Sequence, residues 1–184
     1  MRKWALAALL AAAPAAAQDR AIELDPAQIK IEFKLSATLH SVRGTFRIKR
    51  CNIRFQPATG SFTGELVVDA TSGSSGNDDR DRKMHKAVLE SDRFPEIVFY
   101  PAKLDGKLAT AGTSKLELTG RLAIHGAERE ISIPVLVDAS GNRYRLTGEF
   151  SFPYVKWGIK NPSTLFLRVS DHVEIAIQAV AEAR

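Results

Sequence analysis

The chain has one cysteine, Cys51, among 184 residues. A lone thiol closes no intramolecular disulfide, and a half-buried place in a strand is its plainest role. Histidine is sparse too. His40, His85, His125 and His172 stand in four different segments, with no pair at metal-ligand spacing. No G-x-S-x-G elbow occurs. Ser170-Asp171-His172 has the residue types of a catalytic relay, but adjacent residues point to alternate faces and cannot form one. Gly73-Ser74-Ser75-Gly76 lacks the lysine of a phosphate loop and runs into Asp78 and Asp79, which repel phosphate.

Charge of one sign is also missing. Lys and Arg number 26 against 21 Asp and Glu, and two of the cations, Arg2 and Lys3, sit at the extreme N-terminus. Nothing clusters cations with stacking aromatics, so nucleic acid is not an expected partner. No apolar run is long enough to span a bilayer. The longest, residues 5–13, comes after Arg2 and Lys3 and precedes Ala15-Ala16-Ala17. That order predicts a secretory signal peptide over residues 1–17, cleaved near Ala17, with export to the periplasm or beyond. The remainder, 18–184, is the size of one domain with a substantial core. Asn161-Pro162-Ser163 is spoiled as a glycosylation site by its proline.

Alternation is abundant. Ile29, Ile31, Phe33, Leu35 and Ala37 share one face of a predicted strand, against Lys30, Glu32, Lys34 and Ser36. Val42, Gly44, Phe46 and Ile48 repeat the pattern, but Ile53 and Phe55 have the opposite parity. A bulge or tight turn near Arg50-Cys51 must absorb the shift. Further sets run through Phe62–Val68, 97–99, 116–124, 131–137, 144–152 and 173–179. Pro134 falls on an outward position, which calls for an edge or a bulge there. This makes about eight or nine strands, linked by Gly- and Asn-bearing turns, as in an antiparallel barrel or a two-layer sandwich.

One stretch breaks the period. After Asn77 and Asp78, both good helix N-caps, Met84, Val88 and Leu89 recur at helical spacing. Arg93-Phe94-Pro95 stops that helix and 96–100 begins a strand. A single helix in a β chain must pack on a sheet edge or cap an open end.

The inward positions mix aromatics with glycines, among them Gly44, Gly64, Gly120 and Gly148. An eight-stranded barrel so lined is either filled by its own side chains or holds a slender apolar ligand.

Several segments together resemble the YceI family of exported lipid- and polyisoprenoid-binding proteins. Val42-Arg43-Gly44-Thr45-Phe46 is similar to the family's V-x-G-x-F strand, and Arg80-Asp81 followed by His85 to its R-D-x-H helix. Ser91-Asp92-Arg93-Phe94-Pro95-Glu96-Ile97-Val98-Phe99 resembles S-x-x-[FY]-P-x-[IA]-x-F. Leu118-Thr119-Gly120-Arg121-Leu122-Ala123-Ile124-His125-Gly126 resembles T-G-x-L-T-[IL]-x-G, and 131–135 the strand after it. The chain departs from the pattern by two extra residues between Asp81 and His85, by a shortened H-L-G segment at Leu39-His40-Ser41, and over the tail at 153–169.

The resemblance implies a mainly β fold: an extended, lipocalin-like antiparallel barrel of about eight strands, with one helix at the opening. It implies a long-chain isoprenoid, quinone or similar amphiphile as ligand, carried or stored in the periplasm, with no cofactor and no catalysis. Phe33, Leu35, Phe46, Ile97, Phe99, Leu118, Ile133, Phe150 and Phe152 are the expected channel lining. Arg80, Asp81 and His85 either meet a ligand head at the mouth or cap and pair along the helix. Membrane-surface contact and homodimerisation stay open. Two other classes also stay open: an interaction or stress protein with a filled barrel, and a hydrolase of amphiphiles using His40, His85 or His172 beside a buried serine or acid.

Overall fold

The computed structural model describes residues 22–38 and 40–183. The predicted signal peptide and Leu39 lie outside the described residues. Alternating burial organises eleven strands: β1 (Ile22–Leu24), β2 (Lys30–Ser36), β3 (Ser41–Cys51), β4 (Arg54–Gln56), β5 (Ser61–Thr63), β6 (Leu66–Ser74), β7 (Glu96–Asp105), β8 (Gly112–Ile124), β9 (Ala127–Ser140), β10 (Arg143–Phe152) and β11 (Val173–Ala183). In β9 Ile133, Val135, Val137 and Ala139 are buried while each residue between them is exposed. Such a strand keeps one wet face and one dry one.

Eight of the strands close a ring in the order β7-β6-β3-β2-β11-β10-β9-β8, and β8 returns to β7 through pairs such as Phe99–Leu122. The barrel is antiparallel throughout, so closure leaves it no open edge. The outward faces carry ion pairs such as Lys34–Glu174, directly opposite across β2 and β11. These exposed pairs contribute little individually.

The other three strands form a strap at one end of the barrel. β1 pairs with both β11 and β4, β4 with β5, and β5 with β7. Phe55 and Phe62, opposite each other on the strap, pack ring against ring at 4.7 Å. The end away from the strap, where β6 and β10 finish and β7 and β11 begin, is the mouth.

The parity change expected near Arg50-Cys51 falls between Ile48 and Arg50, where the β3–β6 register slips by one. The slip keeps Ile48 and, beyond it, Ile53 on the dry side. Cys51 is half-buried, and burial pushes its thiol up, which holds it as the protonated, unreactive form. Strand β7 runs on through Pro101, with a register shift between Pro101 and Lys103. Pro134 lies one residue past Val135–Gly148, the last pair of the β9–β10 ladder, so its missing N–H costs that ladder nothing.

Asn77 caps the helix by accepting from the Arg80 amide at 2.9 Å. α1 (Asp78–Lys83) then continues as a π-helix over Met84–Leu89. It ends earlier than Arg93-Phe94-Pro95 because Glu90 turns left-handed, at φ 47°, and hands its amide to the His85 carbonyl. The two additional residues between Asp81 and His85 thus fall at the junction where α-helical winding widens to π.

Candidate binding cavity

All eight barrel strands contribute to a cavity of about 580 Å³. Ile31, Phe33 and Leu35 reach it from β2, Val42 and Phe46 from β3, and Leu66 and Val68 from β6. Ile97 and Phe99 enter from β7, Leu122 and Ile124 from β8, and Ile131 and Ile133 from β9. Phe150 and Phe152 come from β10, and Val173, Ile175 and Ile177 from β11. The lining inside the barrel is therefore wholly apolar, and a polar solute would lose its hydration there without replacement.

The cavity stops short of the strap. Ile53, Phe55, Leu104, Leu116, Val137 and Ala181 are packed core residues that do not line it. Their side chains fill the strap end and give the cavity a floor, so one half of the barrel is solid and the other hollow.

Glycines shape the hollow half. Gly44 stands directly opposite Phe33 in the β2–β3 ladder, and the Phe33 ring lies against it. Phe33 also meets Phe46 at 5.4 Å. Gly120 seats the Phe99 ring in the same way, with Phe99 Cε2 2.8 Å from where a β-carbon would stand. Laid against the wall, both rings cover apolar surface without filling the channel.

The helix covers the mouth with its apolar stripe. Met84, Val88 and Leu89 line the cavity, and Asp79, Arg80 and Lys83 flank its opening with Ser75 and His40. Arg80 Nε donates to the Ser75 hydroxyl at 2.7 Å and its Nη2 to the Ser75 carbonyl at 2.9 Å. Those two bonds turn the guanidinium edge-on to β6 and leave Nη1 for a third acceptor.

Asp81 and His85 do not line the cavity; they moor the helix to the end of β6. The Asp81 carboxylate accepts from the Ser75 amide at 2.9 Å, from the Ser74 hydroxyl at 3.1 Å and from the Ser75 hydroxyl. Burial pushes that carboxyl up, but the Ser75 and Ser74 hydrogen bonds and the Arg80 charge outweigh it and hold it below the usual aspartate range. His85 Nε2–H donates to the Gly73 carbonyl at 2.8 Å, which leaves Nδ1 to accept from the Ser91 hydroxyl at 2.9 Å. Ser91 is 2% exposed and outside the lining, so this serine–histidine pair is a tether rather than a nucleophile open to solutes. At the far end of the helix Glu90 meets His125 Nε2 at 2.8 Å, and the Phe94 ring packs on His125 at 4.3 Å. Among the described residues no histidine, cysteine and carboxylate cluster could hold a metal ion.

Opposite the helix, residues 153–172 complete the rim. Tyr154 and Ile159 are buried and line the cavity. The Tyr154 hydroxyl donates to the Ser170 carbonyl at 2.7 Å, and Trp157 stacks on Phe152 at 4.6 Å. Burial, with Asp171 adding repulsion, pushes the Tyr154 phenol up to about 12.

Of the lining residues expected from sequence, the cavity brings together Phe33, Leu35, Phe46, Ile97, Phe99, Ile133, Phe150 and Phe152. Leu118 points inward but packs on the filled half. Arg80 alone of the three mouth candidates reaches the opening. The last-strand residues Val173, Ile175 and Ile177 stand out in the sequence as an alternating set, and Met84 and Val88 as a helical one. Tyr154 and Ile159 sit in an aperiodic stretch with no such signal.

A closed antiparallel barrel, hollow at one end and roofed by a helix, defines a lipocalin-like binding barrel. Its sequence matches a known family model, the YceI-like domain, over residues 23–181. The chain belongs to that family. It is 29% identical over 131 residues to a UPF0312 protein of Vibrio parahaemolyticus and 29% over 129 residues to one of Vibrio campbellii. The matches span 70% and 68% of this chain and 67% and 66% of those proteins, about two thirds of their length. Among solved structures it is similar to Burkholderia cenocepacia BcnA, at TM-score 0.72 and 18% identity, covering 86% of this chain and 99% of that one. A polyisoprenoid binding domain from Saccharophagus degradans, implicated in plant cell wall breakdown, superposes at TM-score 0.69 and 19% identity, over 90% and 99% of the two chains. The Campylobacter jejuni YCEI protein superposes at 0.64 and 18%, over 80% and 88%. At these identities the solved structures establish the fold.

Proposed function

We propose that the protein holds a long-chain isoprenoid, quinone or similar amphiphile in the hollow half of its barrel, as an exported carrier or store. The observation that carries this reading is the cavity itself: about 580 Å³, apolar throughout its interior, with charge confined to the rim. That volume suits a lipid-sized ligand. Burying a chain there gains about 0.8 kcal/mol per CH₂, so about ten carbons provide usable affinity after ordering costs. Family membership and the likeness to the Saccharophagus polyisoprenoid binding domain support the ligand class. The signal-like residues 1–17 support export. The channel lining proposed is Phe33, Leu35, Phe46, Ile97, Phe99, Ile133, Phe150 and Phe152, with Arg80 Nη1 as the group that meets an oxygen-bearing head. No reaction is part of this proposal.

Native mass spectrometry tests it. Delipidated protein is incubated with a prenyl quinone dispersed in detergent. A one-to-one complex is the expected result. Failure to take up any prenyl or quinone ligand overturns the reading in favour of a barrel whose outer face does the work.

A further inference from the structure

The rim segment opposite the helix ends in a finger with an unusual tip. Asn161 Nδ2 donates to the Val169 carbonyl at 3.2 Å, and the Val169 amide donates to the Ser163 hydroxyl at 2.9 Å. At the tip the Thr164 amide donates to the Leu167 carbonyl at 2.9 Å. The base is fixed to the end of β2 and the turn beyond it. There the Thr38 amide donates to the Arg168 carbonyl at 2.9 Å and the Ser170 amide to the Ser36 carbonyl at 2.8 Å.

Folding has thus built a stiff projection, and it places Leu165 and Phe166 at its end, 95% and 92% exposed. Single exposed apolar residues are ordinary, but two adjacent large ones left bare on an anchored turn are not. Four large hydrophobic residues are exposed among the described residues, and three of them, Val155, Leu165 and Phe166, belong to this segment. The next residue, Leu167, lines the cavity, so the bare tip is continuous with the apolar interior.

Charge identifies the occupant. From 153 to 172 the chain has three cations, Lys156, Lys160 and Arg168, against one acid, Asp171, which is paired with His172. All three are exposed, and none makes a salt bridge among the described residues. An apolar tip on a segment with this excess of exposed cations fits an anionic phospholipid surface, where side chains of both kinds contribute.

We propose that the Leu165–Phe166 finger inserts into an anionic phospholipid bilayer and sets the barrel mouth against it. A lipid chain then passes between bilayer and cavity along Leu167 without crossing water. The proposal rests on the cavity being a lipid site, and its test separates the two.

Flotation with vesicles of phosphatidylglycerol and phosphatidylethanolamine reads the contact. Loading with an NBD-labelled geranylgeranyl lipid dispersed in detergent reads the cavity. The wild-type protein is expected to float, with binding that weakens as salt rises. L165S/F166S is expected to lose vesicle binding about tenfold or more. K160E and R168E are each expected to lose about fivefold. Loading from detergent is expected to stay unchanged in all three, because none of these side chains lines the cavity. F166W adds a reporter whose emission brominated phospholipid should quench beyond the wild-type level.

A wild-type protein that stays off vesicles, a serine variant that floats as well as wild type, or an unquenched F166W reporter overturns the finger and leaves the cavity reading intact. A wild-type dimer that L165S/F166S converts to monomer, without vesicle binding, also overturns it and assigns the tip to a second copy of the chain. Absence of probe uptake from detergent by every variant overturns the cavity reading, while flotation still judges the finger on its own.

Discussion

A β-carbon on Gly44 would overlap both Cζ of Phe33 and the Ser74 carbonyl oxygen. The ring can lie along the barrel wall only because its cross-strand partner has no side chain. Gly44→Ala must therefore push Phe33 into the cavity and strain β6. The expected cost is about 1–3 kcal/mol in urea unfolding, with reduced uptake of a prenyl quinone. Adding Phe33→Leu should recover part of the stability.

Ile175 sits between Phe33 and Phe150 in the ladders of β11 and faces the cavity. Ile175→Trp should occupy the space intended for a ligand, with a stability change within about 1–3 kcal/mol. Native mass spectrometry should show uptake reduced about tenfold or more. Unaltered uptake would place the ligand elsewhere.

His85→Ala removes both bonds that its ring makes to hold the helix, and strands a buried serine hydroxyl and the Gly73 carbonyl. The expected loss is about 2–3 kcal/mol, with faster amide exchange over residues 76–94. Ser91→Ala, which spares the Gly73 bond, should cost about 1 kcal/mol.

Asp81 links the same mooring to pH. Its carboxyl is held below the ordinary aspartate range in the folded protein. Its contribution is therefore present above the unfolded value of about 3.9 and is lost as pH falls through the lower folded value. Asp81→Asn should cost about 1–2 kcal/mol at neutral pH. The two stability curves should converge in acid, and curves that stay parallel to low pH would contradict the assignment.

Tyr154 gives the opposite dependence. With its phenol raised to about 12, the wild-type advantage over Tyr154→Phe should be complete below the unfolded value of about 10. It should shrink as pH rises from there toward 12. A difference titration at tyrosinate absorbance should find the extra phenol ionising near 12.

Strand alternation carries most of the fold in plain view. Ile31, Phe33 and Leu35 against Lys30, Glu32 and Lys34 already state which face is dry, and the parity change before Ile53 already demands a slip. What alternation cannot express is depth. Leu118 and Leu122 have the same parity on β8, yet one packs on the filled end and the other lines the hollow one. The difference arises from where the strap lands, through the single β5–β7 pair Ser61–Lys103 and the short β1 and β4 ladders. His85 is equally opaque. A histidine partway along a helix reads the same whether its nitrogens meet a ligand or meet a carbonyl and a serine. Only the folded placement of Gly73 and Ser91 beside it decides.

The barrel seam joins β2 to β11, with Ile31 against Ile177, and β1 lies along the end of β11, with Ile22 against Ala183. A chain emerging from its N-terminus therefore holds one side of the ring for nearly its whole length before the other side exists. Ring closure is a contact of very high sequence separation, and such contacts form late and slowly. Until the last strand arrives, the growing chain presents an open sheet with an unpaired, alternating edge, the form most exposed to aggregation and to capture by holdase chaperones.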